Sequence, residues 1–213
     1  MVELTTRQRI LDKSAELFNG YGIDSVSIGQ ISKALAISTG NLTYYFKKKE
    51  DLIRAHIVEF EQVIRGKVDS FPLVSNPRTF AEAYVDLLRM SLRYRFLFVG
   101  GSYILRSDPA GAKLYKSAIT SVRNTYIRQT RNLVKGGYLQ PIQKPYNIEM
   151  LIDSMGWQWL GWLLLTQVEP LLTNKDELRQ VVDAVLHILF LSHHYMDPKF
   201  FKAVQAELII ILR

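Results

Sequence analysis

The sequence predicts an all-α fold, and three observations carry that prediction. Apolar residues recur at three- and four-residue spacing through most of the chain. No stretch alternates apolar and polar residues between hairpin turns. Interruptions fall at Gly100-Gly101, Asp108-Pro109, Gly136-Gly137, Pro141 to Pro145 and Asp197-Pro198, and they leave segments of helical length between them.

Residues 5–22 read as the first helix. Ile10, Leu11, Ala15, Leu17 and Phe18 form its apolar stripe, and Asn19-Gly20-Tyr21-Gly22 ends it. Two short helices follow between Val26 and Phe46. Ser27 caps the first, Gln30 completes a capping box, and Ile28, Ile31 and Leu35 share its buried face. Leu35-Ala36-Ile37-Ser38 forms a tight corner. Ser38 then caps the second helix, with Asn41 at its third position. In that helix only Leu42 and Phe46 are placed to face a core. Thr39, Gly40, Asn41, Thr43, Tyr44 and Tyr45 remain for another surface, as in a helix-turn-helix unit spanning about 27–46.

A long helix runs from Lys48 to about Ser70 with Leu52, Ile53, Ile57, Phe60 and Ile64 along one side. Ser70 to Pro77, with two prolines and an Asn, punctuates the chain. Helices are expected near 78–94, 95–106, 109–136, 147–169, 175–196 and 198–212. The expected organisation is a helix-turn-helix domain over 1–64 and a second helical domain over 65–213.

Composition narrows the function classes. The 213 residues, 48% of them hydrophobic, suffice for a sizeable core and a small second unit. Absence of cysteine removes disulfides and thiolate metal sites, and fits a reducing cytoplasm. The N-terminus lacks an apolar stretch of signal-peptide length. Met150 to Val168 is interrupted by Asp153, Gln158 and Gln167, so no membrane partner is expected. The net charge of +7 suits nucleic acid, yet residues 1–70 hold ten Lys and Arg against nine Asp and Glu. Lys47-Lys48-Lys49, directly after the polar helix, is the sharper local signal.

At these residues the chain resembles the TetR family of bacterial transcriptional regulators. The carrying motifs are Ala36-Ile37-Ser38, Gly40-Asn41-Leu42-Thr43-Tyr44-Tyr45-Phe46 and Lys49-Glu50-Asp51-Leu52, with Arg9-Ile10-Leu11 and Ala15-Glu16-Leu17-Phe18 upstream. Together they cover about the first 60 residues. Two kinds of departure occur. Ala36 stands where Gly is usual, so a left-handed backbone there would cost about 1 kcal/mol. Thr43 replaces a usual aromatic, and Gly29 a common Arg. The resemblance implies that residues 1–64 are a DNA-binding domain and residues 65–213 a ligand-binding and dimerisation domain. It implies an inducer pocket in the C-terminal domain and a dimeric four-helix bundle built from the last long helices. It also implies that the helix from Lys48 links the two domains.

The expected function is a sequence-specific regulator, a repressor released from a palindromic double-stranded operator by a small-molecule effector. The alternatives are an activator of the same family or a weakly specific architectural DNA-binding protein. Ser27, Gln30, Ser38, Thr39, Tyr45 and Lys49 are candidate DNA contacts, with Ser27, Thr39, Tyr45 and Lys49 assigned mainly to phosphates. Gly40 permits close backbone approach. Asn41, Thr43 and Tyr44 are candidate base readers, since Asn can pair bidentately with adenine and a Thr methyl can touch thymine. Pocket candidates are Tyr84, Leu88, Phe96, Phe98, Tyr103, Tyr126, Met155 and Trp159, because apolar cavities with few polar groups suit small ligands.

The helix over 147–169 is apolar almost all round, with Trp157, Trp159, Trp162, Leu160 and Leu163 to Leu165. Val181, Val182, Val185, Leu186, Leu189 and Phe190 do the same for the next. These two helices are the expected homodimer surface. Lys113, Lys116, Arg123, Arg128, Arg131 and Lys135 share one arc of the 109–136 helix, an anion-binding face or a solvated one. Asp183, His187 and His194 share another face, but no phosphate loop, nucleophile elbow or His-Glu-x-x-His pattern accompanies them. No enzyme activity, cofactor or metal is expected.

Overall fold

The structure, a computed structural model, describes residues 5–70, 76–166 and 177–212. The described residues hold eleven α-helices, a short 3₁₀ turn over His193–Tyr195 and one isolated bridge between Leu139 and Met196, with no strand. The helices are α1 (Thr6–Tyr21), α2 (Ile28–Ala34), α3 (Thr39–Tyr45), α4 (Lys49–Asp69), α5 (Pro77–Arg93) and α6 (Arg95–Val99). They continue as α7 (Gly101–Ser107), α8 (Pro109–Lys135), α9 (Ile148–Leu165), α10 (Glu177–Ser192) and α11 (Pro198–Ile211). The all-α expectation holds. The ends of the segments expected over 147–169 and 175–196 lie outside the described residues.

The chain divides into two compact units, Met1–Gln62 with Arg93–Ile119, and Val63–Leu92 with Thr120–Arg213. Both α4 and α8 contribute residues to each unit. The first unit gathers Ile10, Leu11, Phe18, Ile31, Leu42, Leu52, Ile57 and Phe60 into its core, all nearly inaccessible. Residues well beyond 64 complete it. Phe96 packs on Phe18, with ring centroids 5.3 Å apart, and Tyr94 on Phe60 at 5.7 Å. Asn19 ties this layer down, accepting from the Phe96 backbone N–H at 2.9 Å and donating to the Arg93 carbonyl at 2.9 Å.

The segment expected as one helix over 95–106 breaks at Gly100. A Cβ there would lie 2.7 Å from Ile23 Cδ1 and 2.8 Å from the Phe96 carbonyl oxygen, so glycine is the residue that fits. The second unit builds its core from Phe80, Val85 and Leu88 of α5, Val181 to Leu189 of α10, and Val204 and Leu208 of α11. Helix α9 packs along α10. No helix among the described residues is long and apolar enough to cross a membrane.

Candidate nucleic-acid interface

Local capping chemistry sets the two short helices as their sequence dictates. The Ser27 hydroxyl accepts from the Gln30 N–H at 3.3 Å, and the Gln30 side-chain carbonyl accepts from the Ser27 backbone N–H at 2.8 Å. The Ser38 hydroxyl accepts from the Asn41 N–H at 3.1 Å and starts α3. Between them Ala36 takes φ 54°, the left-handed conformation that a glycine would adopt at less cost.

Leu42 is completely buried and Phe46 nearly so, which pins α3 by one edge. Its opposite edge is open. Ser38, Thr39, Gly40, Asn41, Tyr44 and Tyr45 are exposed and Thr43 is half-buried. Tyr44 is 83% exposed and stands edge-on to Tyr45, with ring centroids 5.2 Å apart. A tyrosine ring left so open on a seven-residue helix has no packing role within the protomer.

Several expected contact groups have internal work. The Thr39 hydroxyl lies 3.2 Å from that of Ser32, across the corner from α2. Thr43 donates back to the Gly40 carbonyl at 3.1 Å. Gln30 spends its side-chain carbonyl on the capping box and keeps only its amide N–H₂ for an outside partner.

Lys49 departs most from expectation. Its ammonium donates to the Ile23 carbonyl at 2.7 Å and the Asp24 carbonyl at 3.3 Å, and sits 4.9 Å from the Tyr103 ring centroid. It clamps the turn after α1, whereas the side chains of Lys47 and Lys48 are exposed. Those carbonyls lie 26 and 25 residues upstream, beyond the reach of local spacing.

The pocket candidates separate. A cavity of about 80 Å³ in the second unit is lined by Tyr84, Tyr126 and Met155 among others. Leu88 and Trp159 are not on its wall and instead belong to, or pack against, the α5–α10–α11 core. Phe96, Phe98 and Tyr103 lie in the first unit, where Phe96 packs on Phe18 and His56, Phe98 on Phe60, and Tyr103 faces Lys49. Their rings pack on α1 and α4. Thr130, Gln129 and Met196 line the cavity and went unnoticed. Thr130 carried a usable signal, a polar residue four positions from Tyr126 on the apolar side of its helix.

At least three of the six residues in the basic arc of α8 are paired from within. Arg123 pairs with Asp153 through both oxygens, Arg128 with Asp69, and Arg131 with Glu149. That favours the solvated-face alternative over an anion-binding surface. No group of three or more His, Asp or Glu poised for a metal occurs among the described residues, Asp183, His187 and His194 included.

Comparison with known proteins agrees with this arrangement. The family model "Bacterial regulatory proteins, tetR family" matches residues 10–56, and "Bacterial transcriptional repressor" matches 71–204. The chain is 42% identical over 153 residues to the HTH-type transcriptional regulator UidR of Escherichia coli (strain K12), covering 70% of this chain and 76% of UidR. To the HTH-type transcriptional regulator AcrR of Shigella flexneri it is 36% identical over 75 residues. That match covers 32% of this chain and about a third (35%) of AcrR. The crystal structure of a TetR-family transcriptional regulator from Marinobacter aquaeolei VT8 superposes with a TM-score of 0.76 at 24% identity, covering 98% of this chain and 99% of that one. With its open, capped α3 and both family models matched, the chain belongs to the TetR family of DNA-binding bacterial transcriptional regulators.

Proposed function

We propose that the chain is a repressor that binds a palindromic operator as a homodimer through α3 and leaves it when a small ligand enters the cavity of the second unit. The open edge of α3 carries the reading: Thr39, Asn41 and Tyr44 face away from a helix anchored by Leu42. A helix of this kind enters the major groove by its N-terminal residues, while phosphate contacts fix its orientation. Asn41 and Tyr44 are the base readers. Ser38, Thr39, Tyr45, Lys47 and Lys48 face the backbone, and Gly40 allows the helix to come close.

The dimer surface in this reading is α9 with α10. Met150, Ser154, Trp157, Gly161 and Leu164 follow one another at helical spacing along α9. Trp157 is 73% exposed, and a Cβ at Gly161 would meet nothing within 4 Å. Phe190 of α10 is also open. Large residues beside small ones on an apolar stripe suit a second copy of the same surface.

Selection of bound fragments from random duplex DNA tests the function. The expected product is an inverted repeat with half-sites one helical turn or a multiple apart. Asn41→Ala should then cost about 1–3 kcal/mol at one base position. Fragments without a repeat, or equal losses on operator and random DNA, would remove α3 from the reading.

A further inference from the structure

The chemistry of the cavity limits what can occupy it. Its wall carries no Asp, Glu, Lys, Arg or His among the described residues. Val68, Leu133, Leu151, Met155 and Phe200 make it mostly apolar. The hydroxyls of Tyr84, Tyr126, Thr130, Tyr138 and Ser192 and the Gln129 amide interrupt that surface. Ser192 donates to the Leu189 carbonyl and Gln129 to Asp69, while Tyr126 and Thr130 stand at i and i+4 on one face of α8. No hydrogen bond to either hydroxyl is found among the described residues, although Thr130 is buried. The ionisation of Tyr126 is displaced upward by burial and by neighbouring Tyr84, with no hydrogen bond contributing.

Buried hydroxyls without partners are costly unless something fills them. A carboxylate or phosphate could accept from both, yet would enter an apolar site with no cation to compensate it. The size narrows the ligand again. About 80 Å³ is smaller than a cavity of roughly 150 Å³ that holds one benzene ring, so a slender molecule fits better than a fused ring system.

Resting on the ligand-release reading above, we propose that this pocket takes an uncharged, slender apolar molecule whose single hydroxyl or carbonyl oxygen is held jointly by Tyr126 and Thr130. The oxygen accepts from one hydroxyl and, where it bears hydrogen, donates to the other. The alkyl body lies against Leu133, Leu151 and Met155.

The test uses 1-butanol and butanoate as a matched neutral and anionic pair small enough for the cavity, titrated calorimetrically into the protein at pH 7.5. Butanol should bind at least tenfold more tightly than butanoate. Tyr126→Phe should weaken butanol about tenfold without lowering the melting temperature, because it removes an unpartnered oxygen. Met155→Trp, which fills the cavity, should abolish butanol binding. Butanoate binding as tightly as butanol, no binding of butanol at all, or indifference of butanol to Tyr126→Phe would overturn the ligand class. A clear fall in melting temperature for Tyr126→Phe would do so too, by showing that the hydroxyl is already satisfied within the protein. Butanol binding retained in Met155→Trp would overturn the assignment to this cavity. Selective butanol binding that leaves operator DNA bound would support the ligand class while overturning ligand release.

Discussion

Two residues of the first unit carry strain or charge that their surroundings must offset. Ala36 holds a left-handed backbone with a Cβ attached. Ala36→Gly relieves that cost of about 1–2 kcal/mol but adds entropy to the unfolded chain, so a net gain of about 1 kcal/mol is expected in urea unfolding. His56 is wholly buried. The Ser14 hydroxyl donates to the Leu11 carbonyl at 3.0 Å and lies 2.8 Å from His56 Nε2, while Nδ1 faces the Glu59 carboxylate at 3.6 Å. Glu59, Asp12 and Arg93 are the charged groups around the ring, and burial outweighs the carboxylates to hold the imidazole below its ordinary pKa. A folded-state value below the unfolded one means stability is complete above about pH 6.5 and drains away as pH falls through the folded value. The loss is at most about 1.4 kcal/mol per pH unit. Glu59, held below the usual carboxylate range by His56, adds a loss of the same sign at lower pH. His56→Gln should flatten urea midpoints between pH 7.5 and 5.5, and a slope equal to that of the unsubstituted protein would refute the assignment. At this scale the caps at Ser27 and Ser38 were legible because their partners lie three residues away. Lys49 and His56 were not, because their partners come from distant turns of chain.

Elements were legible where periodicity was strong and obscure where tertiary contact decided them. Helices α1, α4 and α8 emerge close to their expected bounds, since each carries a long apolar stripe. Gly100-Gly101 marked the division of α6 from α7, but apolar periodicity on both sides ran them into one expected helix; Gly100 fits there against Ile23, from the connection between α1 and α2. Gly100→Ala should cost about 1–3 kcal/mol by overpacking, read as a lower melting temperature with unchanged helicity at 20 °C. The Arg54 side chain joins α4 to Asp108 at the head of α8, at 2.6 Å, and also pairs with Asp51. Asp108→Asn keeps the shape and removes the charge. We expect it to cost about 1 kcal/mol in urea unfolding while leaving operator affinity within threefold. An unchanged urea midpoint would show that the pair does not hold α4 to α8.

For the whole molecule, the proposed dimer surface on α9 can be tested directly. Trp157, Leu164 and Leu165 lie open on that helix, the kind of exposed apolar stripe that suits a protein partner. Trp157→Lys would put two like charges in the proposed interface. Sedimentation should then find monomers at 10 µM where the unsubstituted protein is dimeric, with operator binding lost alongside. A stable dimer in that variant would place the contact on another face. The sequence announced this surface by being apolar all round, but it could not say which part of α9 its own partner helix α10 would cover.

One feature of α4 constrains how such proteins can change. Leu52, Ile53, Ile57, Phe60, Ile64 and Val68 keep a single helical phase from the first unit into the second, and all are buried. Adding one residue between Phe60 and Ile64 would turn the later turns of α4 by about 100° against the earlier ones and shift them by about 1.5 Å. The six buried positions would then no longer share one face, so an insertion here is felt along the whole helix, while the same insertion in a connecting loop leaves every helix face intact.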